Sequence, residues 1–210
     1  MRHPFFSTHT EPDMQDQTLS SPHIARQGFR YFNRAMVLFW RLGFGQWLNA
    51  APRVSGQIMV LTHTGRKSGK TFRQPLNYAL VNNELYCVAG FGAGSDWYKN
   101  ILADPRVQVW LPDGWWQGEA HDISTAPNRV QLIRAVLIGS GFAAYAAGIH
   151  PQSMSDAELA TVTQSYRLLH IQRAAPRTGR DGPGDLAWVW QVSTVALLAL
   201  WLGTRKTARR

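Results

Sequence analysis

From residue 57 onward apolar residues recur at nearly every second position, and the runs that carry them follow one another as hairpins. "QIMVLTH" (57–63) leads into Gly65-Arg66-Lys67-Ser68-Gly69-Lys70, and "TFRQPLNYAL" (71–80) leads into Asn82-Asn83. "ELYCVAGF" (84–91) then returns, so these three runs read as a meander. Farther on, "RVQVWLP" (106–112), Asp113-Gly114 and "WWQGEAHDI" (115–123) form another hairpin. Hairpin after hairpin favours an antiparallel barrel over a doubly wound sheet. No GxGxxG stands between a strand and a helix, which counts against a dinucleotide-binding domain. Pro75 has no N–H to give, so it belongs at an edge, a bulge, or beside a bound group. Trp115 and Trp116 are adjacent on one strand, so at most one of them enters the barrel.

Helices are expected around this sheet. Residues 24–49 repeat Phe29, Phe32, Met36, Phe39 and Trp40 at three- and four-residue steps beside Arg26, Arg30, Arg34 and Arg41, and break near Gly43 and Gly45. Such a basic amphipathic helix either covers the sheet or lies on a membrane surface. Ser95 is placed to cap a short helix with Asp96 at its positive end, ending before Pro105. Thr125 is expected to start a helix to about Gly139. Ser155 and Glu158 form a capping box for a helix to about His170. "LAWVWQV" (186–192) alternates and is expected to be the last strand, leaving "STVALLALWLG" as an apolar tail before "TRKTARR".

The expected class is therefore mainly β with helices (α+β), with about six antiparallel strands. The segments are 1–23 without fixed structure, 24–50 amphipathic helix, 51–193 barrel and 194–210 apolar and basic tail. The first segment lacks the basic-then-apolar order of a secretory signal. The single cysteine, Cys87, lies in an apolar strand, and no metal-ligand spacing occurs, so no metal is expected.

A formal charge of +9 favours anionic partners without choosing among nucleic acid, anionic lipid and phosphorylated small molecules. No nucleic-acid module is recognised and the cations are scattered, so no nucleic-acid partner is expected. The densest donors lie in Gly65–Lys70. A glycine-bracketed turn can aim backbone N–H groups at an anion, with Arg66 as a fork and Lys67 as a point charge. A hairpin tip with solvated cations is the competing reading. The turn is not a Walker A loop: its spacing is one residue short and no helix follows.

"LTHTGRKSGKTFRQPLNY" (61–78) followed by "LYCVAGFGAGSDWYKNILADPRVQVW" (85–110) resembles the deazaflavin-dependent nitroreductases, split β-barrel oxidoreductases related to flavin-reductase and FMN-binding barrels. The resemblance implies hydride transfer from reduced coenzyme F420 to a small-molecule acceptor: a nitroaromatic, a quinone or an unsaturated compound. It assigns Arg66, Lys67 and Ser68 to the coenzyme's phosphate and acidic tail. Phe72, Arg73, Gln74, Pro75, Leu76 and Asn77 match the strand lining the ring, and Val88, Ala89, Gly90 and Phe91 the strand end beneath it. Trp97, Tyr98 and Asn100 match the segment that closes the site, and Tyr145 is the candidate proton donor or acceptor contact. Two departures stand out. Phe91-Gly92-Ala93-Gly94 replaces a Lys-Gly-Gly run of some members, and Phe72 stands where some carry Arg. His63 and His121 are weaker acid–base candidates, without partner spacing. FMN on the same barrel, or a non-catalytic membrane-associated carrier of coenzyme or lipid, are the alternative readings. A cytoplasmic protein that touches an anionic membrane surface through its tail fits the composition, and a homodimer is compatible with the fold.

Overall fold

The structure is a computed structural model and describes residues 21–50 and 56–207. The segment expected to lack fixed structure falls outside these residues, apart from 21–23, which already belong to the first helix. In chain order the elements are α1 (Ser21–Arg41), α2 (Gly45–Leu48), β1 (Ile58–Thr64), β2 (Thr71–Val81) and β3 (Glu84–Ala89). They continue with a single 3₁₀ turn (Gly92–Gly94), α3 (Asp96–Ala103), β4 (Arg106–Leu111) and β5 (Gly114–Asp122). Last come α4 (Arg129–Gly139), α5 (Phe142–Ala146), α6 (Asp156–Val162), β6 (Arg167–Pro176) and α7 (Ala187–Thr207).

Six antiparallel strands close in the order β1-β2-β3-β6-β5-β4, and the β1–β2–β3 meander and the β4–β5 hairpin are those the sequence predicts. Asn82 and Asn83 both take positive φ, 53° and 66°, which suits the tight β2–β3 turn. Alternation places Met59, Leu61, Leu85, Cys87, Val107, Val109, Leu169 and Ile171 in one interior cluster. Cys87 is fully buried there, and burial pushes its thiol up to about 12, so it is an inert core residue. Trp115 faces outward into a second layer with Trp40, Val60 and Trp110, while Trp116 packs toward the interior. α1 thus covers the barrel through Val37 and Trp40, but Phe32 and Phe39 of its expected apolar face remain exposed. A third cluster, containing Leu132, Ile133, Leu159 and Leu168, packs α4 and α6 on the other side.

β2 is divided along its length. Residues 71–77 pair with β1, whereas only Tyr78–Val81 pair with β3. The other side of 71–77 is therefore an open seam, and Pro75, opposite Val60, sits on it.

Five expectations are corrected. The sixth strand is Arg167–Pro176, not 186–192, and residues 187–207 form one helix. The helix opened by Ser155 ends at Val162 rather than near His170, although its capping box is present in both directions. The boundary at 193/194 consequently falls inside a helix. Helix α4 starts after Asn128 instead of Thr125, and the Ser95 hydroxyl makes no capping bond.

A cleft between the basic turn and helix α3

The β1–β2 turn is held by its own backbone. Gly65 N–H donates to the Lys70 carbonyl at 2.8 Å, and Ser68 and Gly69 N–H donate to the Gly65 carbonyl. Lys70 N–H reaches the Ser68 hydroxyl at 3.3 Å, and Arg66 N–H goes to Asn100 Oδ1 at 3.2 Å. These five donors are spent on the protein, which leaves the side chains as the main donors the turn offers. A Cβ at 65 would lie 2.5 Å from the half-exposed Phe72 ring, which would have to shift to admit it. Gly69 supplies the positive φ (63°) that returns the chain to β2.

Arg66 leans from the turn onto α3. Its Nη1 donates to Asn100 Oδ1 (2.8 Å) and to the Asp96 carbonyl, and its Nη2 to Asp96 Oδ1 (2.9 Å). The hydrogen bond from Arg66 holds the Asp96 carboxyl below its usual range. Nε and part of the Nη2 donor capacity remain for a ligand. Asn100 is buried at 7% exposure, and its Nδ2 lies 3.4 Å from His63 Nδ1. His63 is buried too, and burial lowers its pKa below the usual value. It therefore stands neutral at pH 7, stacked on Phe72 with ring centres 5.9 Å apart.

These groups line a cleft of about 520 Å³ together with Gly65, Lys67, Ser68, Arg73, Gln74 and Trp97. One wall is cationic and the other aromatic. Eight of the expected positions meet there: Arg66, Lys67, Ser68, Phe72, Arg73, Gln74, Trp97 and Asn100. Arg73 is also tied outward, over the Trp110 ring and to the Asp181 carbonyl. Pro75 lies on the open seam, Leu76 packs toward the barrel interior, and Asn77 Nδ2 donates to the Gln57 carbonyl.

Other expected positions lie elsewhere. Val88 packs beneath the outer helices, and Ala89 is buried in the barrel. Gly90 faces Tyr166, and Phe91 is exposed at the entry to the 3₁₀ turn. The Tyr98 hydroxyl is turned toward β5 and bonds the Asp122 carboxylate; burial, then this bond, push it up to about 12. Tyr98 is thus a tie between α3 and the barrel. Tyr145 borders a different cleft, of about 810 Å³, with Gln57, Ala79, Leu80 and Ile138. His121 is exposed beside Glu119 on β5 and does not line the basic cleft.

Asp96 is a lining group that the sequence offered only as a helix-start residue, and His63, named there as a weaker acid–base candidate, also lines the cleft. For His63 the signal was available: it continues the inward positions Met59 and Leu61 to the strand end. Among the described residues no group of three or more His, Cys, Asp or Glu could hold a metal. The donor set fits a flat ring carrying a phosphodiester and an acidic tail: cations at one end, aromatic faces and an open strand edge at the other.

Comparison with known proteins bears on which ring that is. A family model described as F420H(2)-dependent quinone reductase matches residues 44–153, just over half of the chain. That span contains the basic turn, the split strand, α3 and Tyr145. No curated protein matches the chain. Among solved structures, an F420-H2 dependent reductase (FDR-A) is 24% identical, covering 55% of this chain and 94% of its own, with a TM-score of 0.41. A conserved hypothetical protein from Mycobacterium tuberculosis is 16% identical over 68% of this chain and 84% of its own, with a TM-score of 0.44. An F420 reductase is 14% identical over 60% and 93%, with a TM-score of 0.41. These structural likenesses are too distant to argue from. The family match favours the deazaflavin over FMN and an enzyme over a carrier. The chain belongs to the F420H(2)-dependent quinone reductase family: it is a split-barrel oxidoreductase whose cofactor is the reduced deazaflavin coenzyme F420.

Proposed function

We propose that this enzyme reduces a quinone-class acceptor at the open seam of β2, between the two clefts. The observation that carries the reading is the division of β2, which leaves residues 71–77 unpaired on one side next to the cationic cleft. Arg66, Lys67 and Ser68 hold the coenzyme's phosphate and acidic tail, with Arg66 already oriented by Asn100 and Asp96. Phe72, Gln74, Pro75 and Leu76 line the ring, and Trp97 shields it from water. Gln74, which lines the first cleft, and Ala79, which lines the second, are five residues apart, about 17 Å along the strand.

When bound, the reduced deazaflavin supplies a hydride from its ring. The chain's part is to orient ring and acceptor, exclude water and stabilise developing charge. Tyr145 borders the second cleft and is half-exposed, with an aromatic edge contact to His150. There its hydroxyl can hydrogen-bond a quinone oxygen and stabilise the charge that hydride transfer places on it. Quinones with apolar tails partition into bilayers, so the same reading has the enzyme working in the cytoplasm at a membrane surface.

The test is a titration of the purified chain with reduced deazaflavin and with FMN, followed by absorbance and fluorescence, and then turnover with a water-soluble quinone. The expected result is saturable deazaflavin binding, weak or no FMN binding, and reduction of the quinone. Tyr145→Phe should lower turnover about 10- to 100-fold with coenzyme affinity unchanged. Equal affinity for FMN, or reduction of nitroaromatics but not quinones, would refute the reading.

A further inference from the structure

Helix α7 presents a surface that water does not suit. Every residue from 188 to 202 is exposed, including Trp188, Val192, Val195, Leu197, Leu198 and Leu200. The apolar residues run round the whole helix instead of forming one stripe, so a single partner helix would cover only one side. The hydroxyls that interrupt the run are turned inward: Ser193 Oγ donates to the Val189 carbonyl and Thr194 Oγ1 to the Trp190 carbonyl, each at 2.7 Å. The helix therefore shows its surroundings little but hydrocarbon and indole, with Gln191 as the polar exception.

The root of this helix is fixed. Arg41 Nε and Nη2 grip the Asp185 carboxylate at 2.9 and 2.6 Å. Gly184 and Leu186 N–H donate to the carbonyls of Trp40 and Arg41. Phe44 contacts both Phe39 and Trp190, so the apolar surface continues from α7 onto α1.

We infer that α7 is a membrane anchor that embeds along one leaflet of an anionic bilayer and holds the barrel there. Three features select lipid over a second copy of the chain. Lipid can cover all sides of a helix. Trp188 and Trp190 near one end and Trp201 near the other are the residues that settle at the headgroup level. The sequence at this end adds the cations Arg205, Lys206, Arg209 and Arg210, a charge that suits anionic headgroups. The apolar run 188–202 rises about 22 Å, short of the ~30 Å hydrocarbon core. Correspondingly, no helix among the described residues is long and apolar enough to cross a membrane. This inference does not depend on the acceptor.

Co-sedimentation of the full chain with vesicles tests it. Mixed phosphatidylglycerol–phosphatidylcholine vesicles should retain the protein, with a blue shift of tryptophan fluorescence and weaker retention at high salt. Pure phosphatidylcholine should retain about tenfold less or lower still. The full-length double variant Leu197→Glu, Leu200→Glu should bind at least about tenfold more weakly, with unchanged circular dichroism and unchanged affinity for the reduced coenzyme. Four outcomes overturn it. One is a chain that stays in the supernatant with anionic vesicles, and another is equal binding to neutral ones. The third is binding that only detergent reverses, resisting salt and alkali, which would make α7 a spanning helix. The fourth is a lipid-free dimer, abolished by the double variant, in a chain that ignores vesicles.

Discussion

Asn100→Ala separates a placed arginine from a merely basic turn. The Asn100 carboxamide oxygen accepts from both the backbone N–H and Nη1 of Arg66, while its nitrogen faces His63. Removing it deprives a neutral donor worth about 1 kcal/mol and a charged one worth about 1.5 kcal/mol, and leaves the part-buried Arg66 N–H without its acceptor. The sum is about 2–3 kcal/mol, which for a chain of this size lowers Tm by roughly 5–10 °C. Arg66 keeps its two contacts with Asp96, so it is loosened but not released. Coenzyme binding should weaken by about 1–2 kcal/mol, or roughly 5- to 30-fold. Thermal unfolding by circular dichroism and a fluorescence titration with the reduced coenzyme read the two effects. A Tm within about 1 °C of wild type together with unchanged affinity would show that Arg66 needs no placement.

The turn and the helix give further expectations. Lys67→Ala should weaken coenzyme binding by about 1–3 kcal/mol with no change in Tm, because Lys67 is exposed on the turn; unchanged affinity by titration would return the turn to plain solvation. Trp97→Ala should cost both affinity and stability, since the ring lines the cleft and packs on the core; a lowered Tm with normal binding would make it a core residue only. Tyr98→Phe should destabilise by about 1–2 kcal/mol in a denaturant melt and leave coenzyme affinity intact. Arg41 holds the Asp185 carboxyl below its usual 3.8, so this pair's stabilisation is present above that pH and is lost as pH falls through the depressed folded value. Asp185→Asn should therefore be less stable than wild type at pH 7, and the gap should close as pH falls below about 3.8 in parallel acid melts.

Local chemistry made most of the barrel readable. Asn82-Asn83, Asp113-Gly114 and the Ser155/Glu158 box each act within a few residues, and each appears where the sequence puts it. The sixth strand was hidden because its first half is buried on both faces at Leu168 and Leu169, while its second half, from Gln172 on, is mostly exposed. Leu168 packs under the outer helices and Leu169 enters the barrel, so the alternation that marks a one-sided strand is lost. "LAWVWQV" alternates by coincidence: its residues from Trp188 onward are exposed, so no sheet face imposes the pattern. The site was half legible for a similar reason. Arg66 and Asn100 lie 34 positions apart, and their contact exists only once the barrel brings the turn against α3. The outward turn of Tyr98 toward Asp122 and the placing of Tyr145 in another cleft likewise follow from packing, not from local pattern.

The divided strand also exposes the protein to a hazard. An unpaired run from 71 to 77 is a template onto which a strand of another molecule could dock and propagate. Pro75, in the middle of that run, withholds one amide hydrogen and interrupts the ladder an intruder would need. A ligand lying along the same run would shut it further. Solutions of the ligand-free enzyme should therefore cloud sooner on mild heating than loaded ones, and replacement of Pro75 by a good strand former such as valine should hasten that clouding even where it leaves the fold's thermal midpoint untouched.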